Sequence, residues 1–512
     1  MRRLFVFLLM LSSYSVFSQY PCDHRRDNIW MFGYENSPPN FGGTCLNFNQ
    51  NPLSVSYVSQ QISIDIANAS ISDTNGNLLF YTNAMYVANS NHQIMPHGDS
   101  INYGDLYNYF GYYGYTMPQG ALILPLPGSP NYYYIFHEKL EFSAPYFDLT
   151  MGFYCSIVNM DLDGGLGDVE LKNVLLLNDT LDYGCITATR HANGRDWWII
   201  VPEFKHNRYY RFLFCAQGIF QDSIQTIGTA SIIPELSQSC FSPDGSKYVR
   251  WGGASLFHPY RLEVFDFDRC TGTLSNYRNL WYQDSAYACG VAISPNSRFM
   301  YVSADQRIDQ YDLLATDIAS TRQIVAIYDG FTDPLFPAQT RFFLMQSGYD
   351  NKIYVCTPGT TRFLHVIDQP NNEGISCNVL QHSIHLNTFN SSSIPNFPNF
   401  RLGPIDGTIC DSLGINIITS NPELTKEVTD VAVWPNPAQD YFNYKLNNQE
   451  YSGTYHLRLY NTSGILFKEW EFKGKQGFGH YSIEDIQAGV YLLTLTTADE
   501  RALKTVKLIV LR

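Results

Sequence analysis

Between Asn75 and Val355 the chain repeats one pattern six times, a polar turn followed by a short run of β-branched and aromatic residues. Asn75-Gly76 leads into Leu78-Leu79-Phe80-Tyr81, and Gly128-Ser129-Pro130 into Tyr132-Tyr133-Tyr134-Ile135. Asn193-Gly194 precedes the apolar run at 197–201, Asp244-Gly245 precedes Tyr248-Val249, Asn296-Ser297 precedes the run at 299–302, and Asp350-Asn351 precedes Ile353-Tyr354-Val355. Turn residues of this kind tolerate positive φ or cap a turn with a side chain, and the runs suit pleated strands. The unit recurs about every 51 to 64 residues, close to the period of a propeller blade with long loops. Its second half also recurs: Leu262-Glu263-Val264-Phe265-Asp266-Phe267-Asp268, then Ile308-Asp309-Gln310-Tyr311-Asp312-Leu313, then His365-Val366-Ile367-Asp368. This alternation reads as outer strands with one face wet.

The pattern predicts an all-β chain, with a β-propeller of about seven four-stranded blades over residues 19–411. The stretch 27–33 and the segment 395–402 are expected to pair and close the seventh blade, removing open sheet edges. From 412 to 429 the pattern fades into a polar linker. Over 430–512 short alternating runs return, with Tyr455, Leu457 and Leu459 on one face and Val506, Leu508 and Val510 on another. A small Ig-like β-sandwich is predicted there.

Composition narrows the function. Tyr and Phe number 37 and 33, charged residues make up only 16%, and the net charge is −14. A chain this acidic with no basic run lacks the cationic face that nucleic acid requires. Residues 1–18 read as a signal peptide: Met1-Arg2-Arg3, an apolar stretch from Leu4 to Leu11, and a small-residue cleavage site at Val16-Phe17-Ser18. No stretch is predicted to be a transmembrane helix. Export places the 11 cysteines in an oxidising setting. The spacings Cys270–Cys289 and Cys356–Cys377 suit local disulfides between neighbouring strands.

Chemistry is sparse. Asp161, Asp163 and Asp168 in "DLDGGLGD" are hard oxygen donors, but the spacing and terminal Glu of a calcium loop are missing, and the glycines suit a blade turn. His137-Glu138 and Glu141 follow a strand and read as a solvated loop more readily than as an acid–base pair. The Tyr-rich segment 103–120 reads as a loop packed over a propeller face, with sugar stacking as the alternative. No nucleophile elbow, phosphate loop or zinc helix is present, so no catalytic residue, metal ligand or cofactor is assigned. Carboxylates that meet only in space stay open as a glycoside-cleaving pair.

The stretches Asn28-Ile29-Trp30, "ISDTNGNLLFYTN", "ATRHANGRDWWIIV", "CFSPDGSKY", "FDFDRCTGTLS" and "NFPNFRLGPIDG" together resemble the WD40/PD40-like β-propeller proteins exported by bacteria through type IX secretion. The C-terminal segment resembles the type A sorting domain of type IX substrates, the Por secretion tail. That likeness rests on Trp434-Pro435-Asn436-Pro437, the Leu459-Tyr460-Asn461-x-x-Gly464 hairpin, Ala488-Gly489-Val490-Tyr491 and the basic-apolar end with Lys504 and Lys507. The resemblance implies contact with the type IX machinery, delivery to the outer-membrane surface or the medium, and attachment to lipopolysaccharide or release after sorting. It implies an architecture rather than an activity. Two functions are open: a binding or scaffold module for a surface glycan or envelope protein, or a polysaccharide hydrolase or lyase with its site in the channel.

Overall fold

In the computed structural model the described residues are 25–35, 41–111, 113–144, 147–230, 236–252, 261–280, 289–411, 431–446, 454–461, 466–473, 478–497 and 502–511. The expected signal peptide and linker lie outside them. The chain divides into two units, Met1–Ile417 and Ile418–Arg512.

The first unit is a propeller of seven sheets among the described residues, each a consecutive antiparallel meander. Blade 1 holds Ile29–Gly33, Gly43–Asn47 and Ser54–Val58, and blade 2 holds Ala69–Ser72, Leu78–Thr82 and Val87–Asn89. Blades 3 to 7 have four strands each. Their inner strands are Ala121–Pro125, Thr187–Arg190, Ser237–Phe241, Cys289–Ile293 and Met345–Ser347. Thr44 Oγ1 of blade 1 lies 2.8 Å from Thr388 Oγ1 of blade 7, which closes the ring.

All six repeated turns join the inner strand of a blade to its second strand. Each is closed by the same i→i+3 backbone bond: Gly76 N–H to Asp73 O, Ser129 to Leu126, Gly194 to His191, Gly245 to Ser242, Ser297 to Ser294 and Asn351 to Gly348. The donor has positive φ in five of the six, from 60° at Ser297 to 89° at Gly76, which explains why Gly, Asn and Ser recur there. An Asx oxygen braces the turn, as where Asp73 Oδ1 accepts from the N–H groups of Asn75 and Asn77, both at 2.8 Å.

Three expectations are corrected. The stretch 27–33 does not pair with 395–402. Ile29–Gly33 pairs instead with Gly43–Asn47, and 393–402 runs down the axis without joining a sheet. Pro395 and Pro398 offer no N–H to a ladder. Asn396 takes the load: its side-chain amide donates to Ala121 O and Ile186 O, both at 3.0 Å, and its own N–H to Asn68 O at 2.9 Å. The runs at 262–268, 308–313 and 365–368 belong to third strands, not outermost ones. In blade 5 the third strand, Arg261–Asp268, is mostly buried, because both blade faces pack against neighbours. The local disulfides are also absent. Cys270, in the turn after that strand, bonds Cys410 with Cα atoms 5.6 Å apart, while Cys356 and Cys377 are free and buried. The chain returns from the axis beside this turn, where Arg269 donates to Gly403 O.

Large rings fill the spaces between blades. Trp30, Trp197, Trp251, Tyr81, Tyr209 and Tyr248 are among the fully buried side chains. Each contributes up to about 4–6 kcal/mol at the usual area coefficient, an upper bound set by the extended-chain reference.

The second unit is a two-sheet β-sandwich. One sheet orders Val431–Trp434, Tyr441–Leu446 and Phe478–Ser482, and the other orders Leu466–Lys473, Thr454–Asn461, Gly489–Thr497 and Ala502–Val510. Tyr455, Leu457, Leu459, Leu508 and Val510 are buried between the sheets, as the alternation predicted.

Candidate functional site

The inner-strand turns gather around one end of the propeller axis. There they enclose a cavity of about 500 Å³, lined by residues of blades 4 to 7 and by 397–403. The residues that build it lie up to 376 positions apart, from Asp27 to Gly403. Its floor is a set of amide clamps. Gln119 donates to Ser239 O at 2.9 Å and accepts from Ser239 N–H at 2.8 Å. Gln238 donates to Met345 O and accepts from Val291 and Met345 N–H groups, tying blades 5, 6 and 7. These buried amides are satisfied, so they rigidify the channel.

Above the floor stand Gln346, Asn351, Asn399 and apolar Phe397. Both carboxylates of the lining are already held. Asp27 takes a 2.7 Å bond from Arg401. At Asp244 burial pulls the carboxyl upward, but bonds from Ser242, Ser246 and Ser297 outweigh it and leave the group below its ordinary value.

Two carboxyls outside this cavity have different chemistry. Burial pushes the Asp65 carboxyl up to about 6 against a bond from Ser391. Burial also raises Asp148, whose Oδ2 accepts from the Tyr183 hydroxyl at 3.1 Å. Sequence reasoning missed both residues: Asp65 lies in the loop before the strand Ala69–Ser72 and Asp148 opens the strand Asp148–Asn159, with no motif around either.

The residues singled out in the sequence scatter. His137 and Glu138 are not on a solvated loop but in the strand Tyr132–Phe142, both fully buried. His137 bonds Asn102 Oδ1 at 2.7 Å and Ser156 Oγ at 2.9 Å. Burial lowers its pKa to about 3 and holds the Glu138 carboxyl well above its ordinary value. Glu141 pairs with Lys139 at the surface. Asp161 accepts from Asn131 and Asp168 bonds His97, so the acids of "DLDGGLGD" diverge. Among the described residues no group of three or more His, Cys, Asp or Glu could hold a metal ion. The Tyr-rich segment splits: Tyr107 and Tyr115 are buried, while Tyr103, Tyr109 and Tyr113 are exposed.

In the sandwich the Trp434-Pro435-Asn436-Pro437 turn is docked onto the last strand. Asn436 donates to Lys507 O at 2.7 Å and accepts from Ile509 N–H at 2.9 Å. Gly489 opens the strand that carries Tyr491, a buried ring whose hydroxyl donates to Gln487 O. Lys504 lies opposite Leu495 in the adjoining ladder. Gly464 lies outside the described residues.

Residues 432–511 match the family model of the secretion system C-terminal sorting domain. That match supports a sorting domain over this segment. The protein is therefore exported through type IX secretion, to the cell surface or into the medium, and the sorting domain implies contact with that machinery. No helix among the described residues is long and apolar enough to cross a membrane.

No curated protein matches the chain. Solved structures resemble it distantly. A Bacteroides uniformis protein described as a 6-phosphogluconolactonase is 12% identical, with a TM-score of 0.37, over 70% of this chain and 96% of that one. The periplasmic gluconolactonase of Pseudomonas aeruginosa is 9% identical, with a TM-score of 0.36, over 89% and 98%. An oligogalacturonate lyase in complex with manganese is 10% identical, with a TM-score of 0.33, over 65% and 88%.

Proposed function

We propose that the protein is an exported binding module that holds a surface glycan in the axial cavity. In this reading residues 1–18 are a signal peptide, 19–411 the ligand-binding propeller and 412–429 a linker. The residues Trp434, Pro435, Asn436, Pro437, Gly464, Gly489, Tyr491, Lys504 and Lys507 shape the surface read during export, after which the propeller is released or attached to lipopolysaccharide. The observation that carries the reading is a concave lining in which Asp27 and Asp244 are held by Arg401 and by serine hydroxyls, so that its polar character comes from backbone groups and side-chain amides, of which Gln346 and Asn399 also bond backbone atoms. Amides exchange hydrogen bonds with sugar hydroxyls without bringing in charge, and Phe397, only 7% exposed, lines the same cavity. An envelope protein would demand a broader contact than this concave site offers.

The mature protein should bind a neutral surface polysaccharide fraction in calorimetric titration. The double variant Gln346→Ala, Asn351→Ala should weaken that binding by about tenfold, the loss of one or two hydrogen bonds. Polysaccharide size, followed by gel filtration, should not change. Unaltered affinity in the double variant would count against the axial site.

A second reading has its own support: the raised carboxyls Asp65 and Asp148 beside Tyr183. A proton-donating acid near neutrality is what a polysaccharide hydrolase or lyase needs. If the protein shortens polysaccharide, Asp65→Asn should abolish the cleavage and leave axial binding intact.

A further inference from the structure

Arg401, Leu402 and Gly403 line the axial cavity and also a second one of about 490 Å³, which opens where the turns of blades 3 and 4 meet residues 400–404. From Gly403 to Asp411 the chain leaves the axis without joining a strand. This strap is thinly packed. Ile409 is 93% exposed, and Gly403, Ile405, Asp406 and Gly407 are exposed as well. The blades reach it at Ile405, whose N–H donates to Ala192 O at 2.8 Å, and at Gly403, whose carbonyl accepts from Arg269. The bonds from Thr408 N–H to Ile405 O and from Asp411 N–H to Thr408 O stay within the strap.

The covalent hold on the strap is the Cys270–Cys410 disulfide, and its two ends differ. Cys270 sits in a braced turn. Its N–H donates to Asp268 Oδ1 at 2.9 Å, Gly272 N–H donates to Asp268 O at 2.7 Å, and the Cys270 carbonyl lies 3.0 Å from His191 Nε2. Cys410 sits on the exposed strap. A fixed anchor thus holds a segment that has few packed contacts of its own. Such segments open at low free-energy cost once the tie is cut. Both cysteines are part-exposed and within reach of a small thiol, whereas five free cysteines, Cys155, Cys185, Cys215, Cys356 and Cys377, are buried.

We propose that Cys270–Cys410 is a redox latch on the cavity-lining segment. Oxidised, it keeps 397–403 seated against the turns. A dithiol reductant opens it. One thiolate attacks a sulfur of the bridge, the protein S–S bond breaks and a mixed disulfide forms. The second thiol then displaces the protein sulfur and closes the reductant into a cyclic disulfide. Two electrons and two protons pass to the protein, leaving Cys270 and Cys410 as thiols. The strap is then free to lift, and the cavity lining loosens with it.

The test compares mature protein as oxidised, after dithiothreitol, and as the variant Cys410→Ser. Hydrogen exchange read by mass spectrometry should rise about tenfold or more over 396–409 in the reduced protein and in the variant. Exchange in the inner strands of blades 3 and 4 should not change. Peptide mapping after iodoacetamide should find Cys270 and Cys410 labelled in the reduced protein, and reoxidation should restore protection. Affinity for the polysaccharide fraction that binds the oxidised protein should fall about tenfold on reduction, as preorganisation is lost. Cys410→Ser should no longer respond to the reductant. Only this binding arm rests on the glycan reading. If the oxidised protein binds no polysaccharide, that reading fails by itself and exchange decides the latch. Unchanged exchange over 396–409 overturns the proposal, because the non-covalent bonds then suffice to hold the strap. A rise shared by all blades overturns it too, because the bridge then ties the whole fold. Faster exchange over 396–409 with unchanged affinity overturns the control of the cavity. Should Cys410→Ser fail to fold, reduction of the folded wild type still gives each of these readings.

Discussion

His137 and Glu138 are adjacent on one strand, and burial acts on them with opposite signs. Folded His137 takes up a proton only near pH 3, whereas an unfolded histidine does so near about 6.5. Across that window the unfolded chain binds more protons, so this contribution to stability is lost as pH falls from about 6.5 toward 3. Folded Glu138 keeps its proton well above its ordinary value of 4.5. Above that pH the unfolded chain has released the proton and the folded one has not, so stability falls as pH rises. Glu138→Gln keeps the shape and removes the titration. Thermal melts should show the variant gaining over the wild type at pH 8, with the gain shrinking toward pH 4.5. A constant difference at both pH values would mean that Glu138 ionises freely in the fold.

The axial segment 393–402 does the work expected of a closing strand by other means. Asn396 satisfies the carbonyls of Ala121 and Ile186 in two different blades. Asn396→Ala would leave those buried acceptors without that donor, and should cost about 1–3 kcal/mol in chemical denaturation. A loss within a few tenths of a kcal/mol would show that the segment is not integral to the ring. This element was hidden in the sequence because it has no alternation to read. Pro395 and Pro398 exclude a strand, and nothing local says that Asn396 points at an axis. The six turns were legible for the converse reason: each is closed within four residues by one backbone bond, five of them with a positive φ at the donor. Glu138 was misplaced because a solvated loop was expected after Phe136, while the strand continues to Phe142. A charged pair in sequence says little about burial when the neighbouring blade supplies the cover. The third strands were misassigned on the same ground, since wetness of a blade face depends on its neighbours. The candidate site itself was illegible, because its residues come from short stretches of several blades that meet only in space.

At the scale of the molecule, the two described units divide the labour. The sorting domain carries the export address, and its Trp434-Pro435-Asn436-Pro437 turn is built into its own last strand through Asn436. The propeller carries two cavities that share Arg401, Leu402 and Gly403 of the axial segment. Cys270–Cys410 fastens the far end of that segment to blade 5. A ligand site built on a tethered plug is held by rigid elements, which favours recognition over motion. The decisive measurement is a crystal structure of the mature protein with the polysaccharide fraction that binds it. Uncleaved sugar in the axial cavity, against Gln346, Asn351 and Asn399, is the expected result. Sugar at the Asp65–Asp148 end, or a cut chain there, would contradict the binding-module account and make this protein an enzyme.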